Sequence, residues 1–384
     1  MTQIGATIPR EAVATSEAKV DRKFFPFLDG IRGMAAIFVL TRHTESYWNF
    51  SIFRSYLGVD IFFVLSGFVI AFAYESKLQS GVMSKGRFAL VRMIRLYPVY
   101  FLAMILCHAL AVMNVPLNGG VRYGSMAEIA MSFALSLFFL PSHAINSAAL
   151  FPSNIPCWSL FYELIVNFLY ALIRPILNTA VLTAILAVAA VVIVGGTLSR
   201  GALNFGFNWS AASIVGGGAR AAFGIFAGIL LFRKGPAILE FIDRRVGVSV
   251  SPWLAFFLIG GILALPSVGR LDPFIDLAAV FLLFPLLVLF STRGTAGKFQ
   301  PILLVLGAAS YPMYVLHVPL GEALNYVAGP VVERFVPLSG IVFVLALVGM
   351  ALLVERIYDL PIRRWLSKTL LRAPVRPRRE AIAT

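Results

Sequence analysis

Apolar runs near 20 residues in length dominate this chain, and they leave few folds open to it. Hydrocarbon offers a backbone no hydrogen-bond partners, so a run of that length crosses a bilayer as a helix. A membrane barrel would show alternating strands of about ten residues instead. Eleven segments qualify: 29–49, 57–75, 96–114, 127–141, 157–173, 178–197, 211–232, 252–267, 274–291, 301–321 and 337–357. Composition agrees, with 59% hydrophobic and 13% charged residues and a mean hydropathy of +0.87. A soluble domain carries about twice that share of charge. The expectation is an all-α integral membrane protein.

The loop charges decide how many segments cross. Basic clusters fall at Arg10 to Lys23, Lys77 to Arg95, Arg174, Arg233 to Arg245, Arg293 to Lys298, and from Arg363 onward. Eleven crossings would scatter them over both faces. If 127–141 enters and returns, every cluster falls on one side, as positive-inside topology requires. That segment is also the shortest. The chain is therefore expected to be a bundle of about ten transmembrane helices with a re-entrant or interfacial outer segment near 127–141. Both termini lie in the cytoplasm and the membrane is the inner, cytoplasmic one. Residues 1–26 form a cytoplasmic tail, 27–358 the transmembrane domain and 359–384 a basic cytoplasmic tail. The first 25 residues lack the apolar core of a signal peptide.

The net charge of +14 is explained by this topology and by anionic lipid, so no nucleic acid is expected. Cys107 and Cys157 form no disulfide framework, and no metal-ligand spacing occurs.

Several ionisable groups lie inside the apolar runs, where charge is costly and marks a pathway, a relay or a site. Arg32 and His43 are eleven positions apart. That is three helical turns plus about 20°, so they share one face, roughly 16 Å apart along the axis. Arg32 is placed near the cytoplasmic face and His43 in the outer half. Asp60 is placed near the outer face, Ser66 near mid-depth, Glu163 roughly 10 Å below the outer face, and His317 in the outer third. His43, Asp60, Glu163 and His317 are expected to converge. Arg92 and Arg95, at i and i+3, flank the inner end with Arg32. Arg87 reads as a simple anchor. Asp60 could instead be a first-turn charge, and Glu163 a structural hydrogen bonder. Gly216, Gly217 and Gly218 read as a helix-packing site or a channel lining.

Five motifs now align with a known family. These are Phe27-Leu-Asp-Gly-Ile-Arg-Gly-Met-Ala-Ala to His43, Gly58-Val-Asp-Ile-Phe-Phe-Val-Leu-Ser-Gly-Phe68, Arg92-Met-Ile-Arg-Leu-Tyr-Pro98, Trp158-Ser-Leu-Phe-Tyr-Glu163 and Ser310-Tyr-Pro-Met-Tyr-Val-Leu-His317. Together they resemble the membrane-bound acyltransferase-3 family, over roughly residues 24 to 358 and in a stand-alone form. The resemblance implies transfer of an acyl group, commonly acetyl from cytoplasmic acetyl-CoA, to a hydroxyl of a carbohydrate or glycolipid on the outer side. It implies that His43 is catalytic and that Arg32, Arg92 and Arg95 engage the acyl-CoA.

Physical chemistry fills in the rest of the expected mechanism. A phosphate-rich donor head needs guanidinium forks. Acyl transfer to a hydroxyl needs a base and an oxyanion donor. His43 suits the base, with Asp60 or Glu163 orienting its ring. Ser66, Tyr311 and His317 are supporting candidates; Ser66 lies in no nucleophile elbow. No permanently bound cofactor and no metal are expected. Acyl-CoA, the carbohydrate or glycolipid acceptor, the lipid bilayer and a polysaccharide assembly complex are the expected partners. Two alternatives stand beside this reading. One is a proton-coupled secondary transporter using His43, Asp60 and Glu163 as a relay. The other is a non-catalytic scaffold of the assembly complex.

Overall fold

The computed structural model describes residues 25–118, 124–143, 147–247 and 249–371. The two expected tails lie largely outside them, at 1–24 and 372–384. Among the described residues the fold is all helical, with one isolated bridge between Ala149 and Asn208. The long helices are α1 (Pro26–His43), α2 (Gly58–Gln79), α3 (Lys85–Asn118), α5 (Cys157–Ile173), α6 (Thr179–Arg200), α7 (Ala211–Arg245), α11 (Gln300–Arg334) and α12 (Leu338–Val354). Shorter ones are α4 (Met126–Ser136), α8 (Pro252–Ala264), α9 (Asp272–Ala278), α10 (Phe284–Phe290) and α13 (Leu360–Leu370).

Local chemistry sets many of the ends. Asn178, Ser210 and Ser251 cap α6, α7 and α8 by accepting from the backbone N–H three residues on. Pro26, Pro252 and Pro301 occupy first-turn positions, where a missing N–H costs nothing. Gly201 closes α6 in the left-handed conformation, φ 76°.

Among the described residues, eight helices are long and apolar enough to cross a membrane. One joins α9 and α10 through a π-helical segment at Ala279–Leu283, and another joins α12 and α13 through Glu355–Asp359. Two more run the same course although composition or length alone would exclude them. α1 carries Asp29, Arg32 and Arg42 within its 18 residues. It lies parallel to α11: a Cβ on Gly307 would touch Asp29, and the Tyr47 hydroxyl, beyond the end of α1, donates to the Gly321 carbonyl at 2.8 Å. α8 has only 13 residues. Its Trp253 sits edge-on to Phe27 at the start of α1, and Arg54, past the end of α1, donates to the carbonyl of Leu265, just past the end of α8. Among the described residues ten helical units thus run along the bundle, with residues 25 and 371 at the same end. That end carries Lys85, Arg95, Arg174, Arg233, Arg293 and Arg363 and is called the basic end; the opposite one is the histidine end.

The segment expected to be re-entrant behaves so. Ser125 and Glu128 form a capping box that starts α4. The helix then descends against α3, with Ser132 at His108 (3.3 Å) and the Ser136 carbonyl accepting from the Tyr100 hydroxyl (2.8 Å). Phe139, at φ 57°, turns the chain and stacks on Tyr100. At the histidine end, Leu150 and Trp209 donate to backbone carbonyls across the 149–208 bridge. One boundary differs from expectation: residues 360–370 continue the helix of the last pass as α13 instead of opening a tail.

At the centre, α2 and α7 cross in backbone contact. A Cβ on Gly67 would lie 1.9 Å from the Ile225 carbonyl oxygen, and one on Gly228 would lie 2.1 Å from that of Val64. Gly216 and Gly217 resolve as a packing site, since a Cβ there would strike the Phe205 and Tyr162 rings.

Candidate functional site

Two clefts meet near the middle of the bundle. The one toward the basic end is a cavity of about 160 Å³ among α1, α2, α3, α5 and α11, and Arg32, Arg92, Arg95, Ser66, Glu163 and Tyr311 line it. Helical spacing brings the arginines together. Arg92 and Arg95 lie on one face of α3, and Arg32 stands on the first turns of α1. Each guanidinium has a carboxylate beside it: Asp29 at 2.9 Å from Arg32, Glu163 at 2.8 Å from Arg92, and Asp359 at 3.7 Å from Arg95. A guanidinium has five N–H donors, so one such contact leaves most of the fork for an anion. Arg92 Nε has no hydrogen-bond partner among the described residues. The Arg95 side chain is 39% exposed and lies over the Tyr311 ring. Tyr311 in turn donates its hydroxyl to the Leu96 carbonyl.

The cleft toward the histidine end has a cavity volume of about 250 Å³ and is lined by His43, Arg42, Glu45, Tyr56, Trp158 and Arg220, among others. His43 closes α1 and is exposed to this cleft. Its Nδ1 lies 2.9 Å from the Val39 carbonyl. A carbonyl only accepts, so Nδ1 carries the hydrogen and Nε2 holds the lone pair. Tyr56 is fixed by Asp276, which accepts its hydroxyl at 2.6 Å and also holds Arg54 at 3.2 Å.

The wall between the clefts is thin. Trp158 lines one and Ser159 the other, so on α5 they are separated by about 1.5 Å of helical rise. On α2 the step from Val59 to Phe62 is less than one turn. Phe62 packs edge-on against Tyr314, whose hydroxyl lies 2.6 Å from that of Ser159.

The expected convergence of four groups splits in three. His43 and His317 do meet, with ring centroids 5.1 Å apart. Asp60 instead pairs with Arg220 in a two-pronged contact, 3.0 Å at Nε and 2.6 Å at Nη2; the residues are 1% and 2% exposed. Glu163 belongs to the other cleft, accepting from Ser66 at 2.6 Å and from Arg92. The orienting group at His43 is therefore the Val39 carbonyl, not a carboxylate. With both carboxylates held by arginines, the transport alternative loses its relay. Arg87 is exposed and outside the cleft, an anchor. Sequence reasoning singled out none of Arg42, Glu45, Tyr56 and Arg220 as site residues. Arg42 alone had a local signal, its place beside His43.

A polytopic helical protein with a cationic cleft at one end and an exposed histidine in an adjoining cleft at the other is built as a membrane-embedded group-transfer enzyme. The chain belongs to the acyltransferase-3 family, whose model, described as an acyltransferase domain, matches residues 25–355. It is an enzyme, an acyltransferase, as the five motifs led one to expect. Protein 2 in the picA locus of Rhizobium radiobacter is 41% identical over 180 residues, 44% of this chain and 92% of that protein. The peptidoglycan O-acetyltransferase OatA of Listeria monocytogenes is 42% identical over 52 residues, 14% of this chain and 8% of OatA. No solved structure matches the chain.

Proposed function

We propose that this enzyme is an O-acetyltransferase that takes acetyl from acetyl-CoA at the basic end and delivers it to a hydroxyl of an envelope carbohydrate at the histidine end. The observation that carries the reading is the pair of adjoining clefts on one face of α1, with Arg32 in the first and His43 in the second. The basic end faces the cytoplasm, by the positive-inside rule, and the membrane is the inner one. Arg32, Arg92 and Arg95 receive the phosphates of the donor head by exchanging part of their contact with Asp29, Glu163 and Asp359. The thin arm carries the thioester past Ser159 and Tyr314 toward His43.

There, His43 Nε2 takes the proton of the acceptor hydroxyl as its oxygen bonds the thioester carbon. Arg42 supplies a cationic donor on the same cleft for the developing oxyanion. The carbon–sulfur bond then breaks, and the proton ends on the thiol. Support for an O-acetyl product on a cell-wall sugar comes from the likeness to OatA, a peptidoglycan O-acetyltransferase, through a short match. Glu163 holds Arg92 and Ser66 in place in the donor cleft.

The test uses membranes containing the protein and acetyl-CoA labelled in the acetyl group. Label should enter the envelope carbohydrate fraction and be released by mild alkali, as an ester is. His43→Asn should lower this about 100-fold or more. Label recovered in no envelope fraction, with the protein intact, would sink the reading.

A further inference from the structure

Two imidazoles face one another where α1 meets α11. The His43 and His317 rings are 5.1 Å apart between centroids and tilted by 51°. Each Nδ1 lies against the carbonyl one turn back, that of Val39 at 2.9 Å and that of Met313 at 3.1 Å. Both Nδ1 atoms therefore carry the hydrogen, and in the neutral rings both Nε2 atoms hold lone pairs. Two lone pairs cannot bond, and no hydrogen bond joins the rings. His43 is exposed to the cleft, whereas His317 is 0% exposed. Among the described residues His317 Nε2 has no hydrogen-bond partner. A buried acceptor left unsatisfied is unfavourable in the resting state and calls for an explanation.

The surroundings narrow that explanation. Arg42 and Glu45 line the same cleft as His43, and Tyr314 lies against His317 with ring centroids 6.2 Å apart. The two spans that carry the imidazoles are in close contact lower down, where a Cβ on Gly33 would meet Leu306 at 2.5 Å and one on Gly307 would meet Asp29 at 2.5 Å. Their spacing is thus set by backbone packing. With centroids at this separation and the rings tilted, no hydrogen bond joins the two Nε2 atoms in the resting arrangement, and one ring must turn to make it.

We propose that His317 is a positioning partner of His43 that engages only once His43 has taken the acceptor's proton. This rests on the reading of His43 as the general base. The hydroxyl O–H bond breaks and its proton joins His43 Nε2 as oxygen bonds the acyl carbon. The ring is then a donor at both nitrogens, to Val39 through Nδ1 and, once the acceptor oxygen has moved onto the acyl carbon and the ring has turned, to His317 through Nε2. When the acyl carbon leaves sulfur, the proton passes from His43 to the thiolate and the pair returns to two neutral rings. The bond exists only in the charged state, so it favours the transition state over the resting complex.

The experiment is the labelled-acetyl transfer from acetyl-CoA into the envelope fraction, run on His317→Phe, His317→Gln and His43→Asn in membranes matched for folded protein. His317→Phe keeps the packing and removes the acceptor. Its kcat should fall about 10- to 100-fold with KM for acetyl-CoA within about twofold. His317→Gln, whose amide oxygen can accept, should stay within about fivefold of the parent. Equal losses in Phe and Gln, a change confined to KM, or a Phe variant within about twofold of the parent would each overturn the pairing while leaving the base reading intact. Full activity in His43→Asn would overturn the base reading and the pairing with it. If His317→Phe does not fold, His317→Met replaces it under the same criteria.

Discussion

The Asp60–Arg220 pair shows what ion pairs do in this bundle, and what they leave exposed to change. Both groups are buried, and Arg220 also donates to the carbonyls of Phe205 and Tyr56 and lies over the Trp158 ring. Removing one charge strands the other without solvent. Arg220→Met should therefore destabilise the protein by about 3–5 kcal/mol, whereas the double variant Asp60→Asn, Arg220→Met should regain part of that loss. Thermal unfolding in detergent measures both; a single variant as stable as the parent would show the pair to be dispensable. In the donor cleft, Arg92→Lys keeps the charge and loses the fork. It should raise KM for acetyl-CoA about tenfold with kcat nearly unchanged, read by thiol release. The shared face of Arg32 and His43 was legible in the sequence because one helix fixes both its period and its rise. The partners of Asp60 and Glu163 were not. They depend on how α5 and α7 are rotated about their own axes, and Arg220 reaches Asp60 across 160 positions with no local pattern to announce it.

Among the elements, the apolar runs announced the passes because hydrocarbon requires every backbone group to bond within its own helix. They did not announce how far helices project beyond the bilayer. The expected 96–114, 211–232 and 301–321 became Lys85–Asn118, Ala211–Arg245 and Gln300–Arg334, since a helix in water carries no hydropathy signal. Two element-level outcomes follow from packing. Gly67→Ala would push a methyl against the Ile225 carbonyl, which is backbone and cannot swing aside. It should cost about 1–3 kcal/mol or more and lower the unfolding temperature; unchanged stability would mean α2 and α7 can separate at no cost. One residue inserted between Met34 and Leu40 turns His43 by about 100° relative to Arg32. Transfer should be lost while the protein remains folded, and retained transfer would dissociate the shared face from function.

For the molecule as a whole, the distribution of cations makes a claim about orientation. At the histidine end, Arg54 and Arg220 are buried in ion pairs and so contribute little to a surface field. The basic end carries the exposed Lys77, Lys85, Arg87, Lys234, Arg245 and Lys298, and the amphipathic face of α13 with Arg364, Trp365 and Lys368. Such a surface attracts anionic lipid at about 1 kcal/mol per cation, so the cytoplasmic leaflet favours this end. Anionic acyl-CoA would then arrive on the side where the arginines of the donor cleft face it. Cys107 and Cys157 are both buried, so a reporter thiol can be read against a silent background. Val82 lies in the turn between α2 and α3, and Val268 in the turn before α9; both are exposed. An impermeant maleimide should label Val268→Cys in intact cells, and Val82→Cys only after the membrane is opened. The reverse pattern would put His43 on the cytoplasmic side and remove the reason for a transmembrane path between the two clefts.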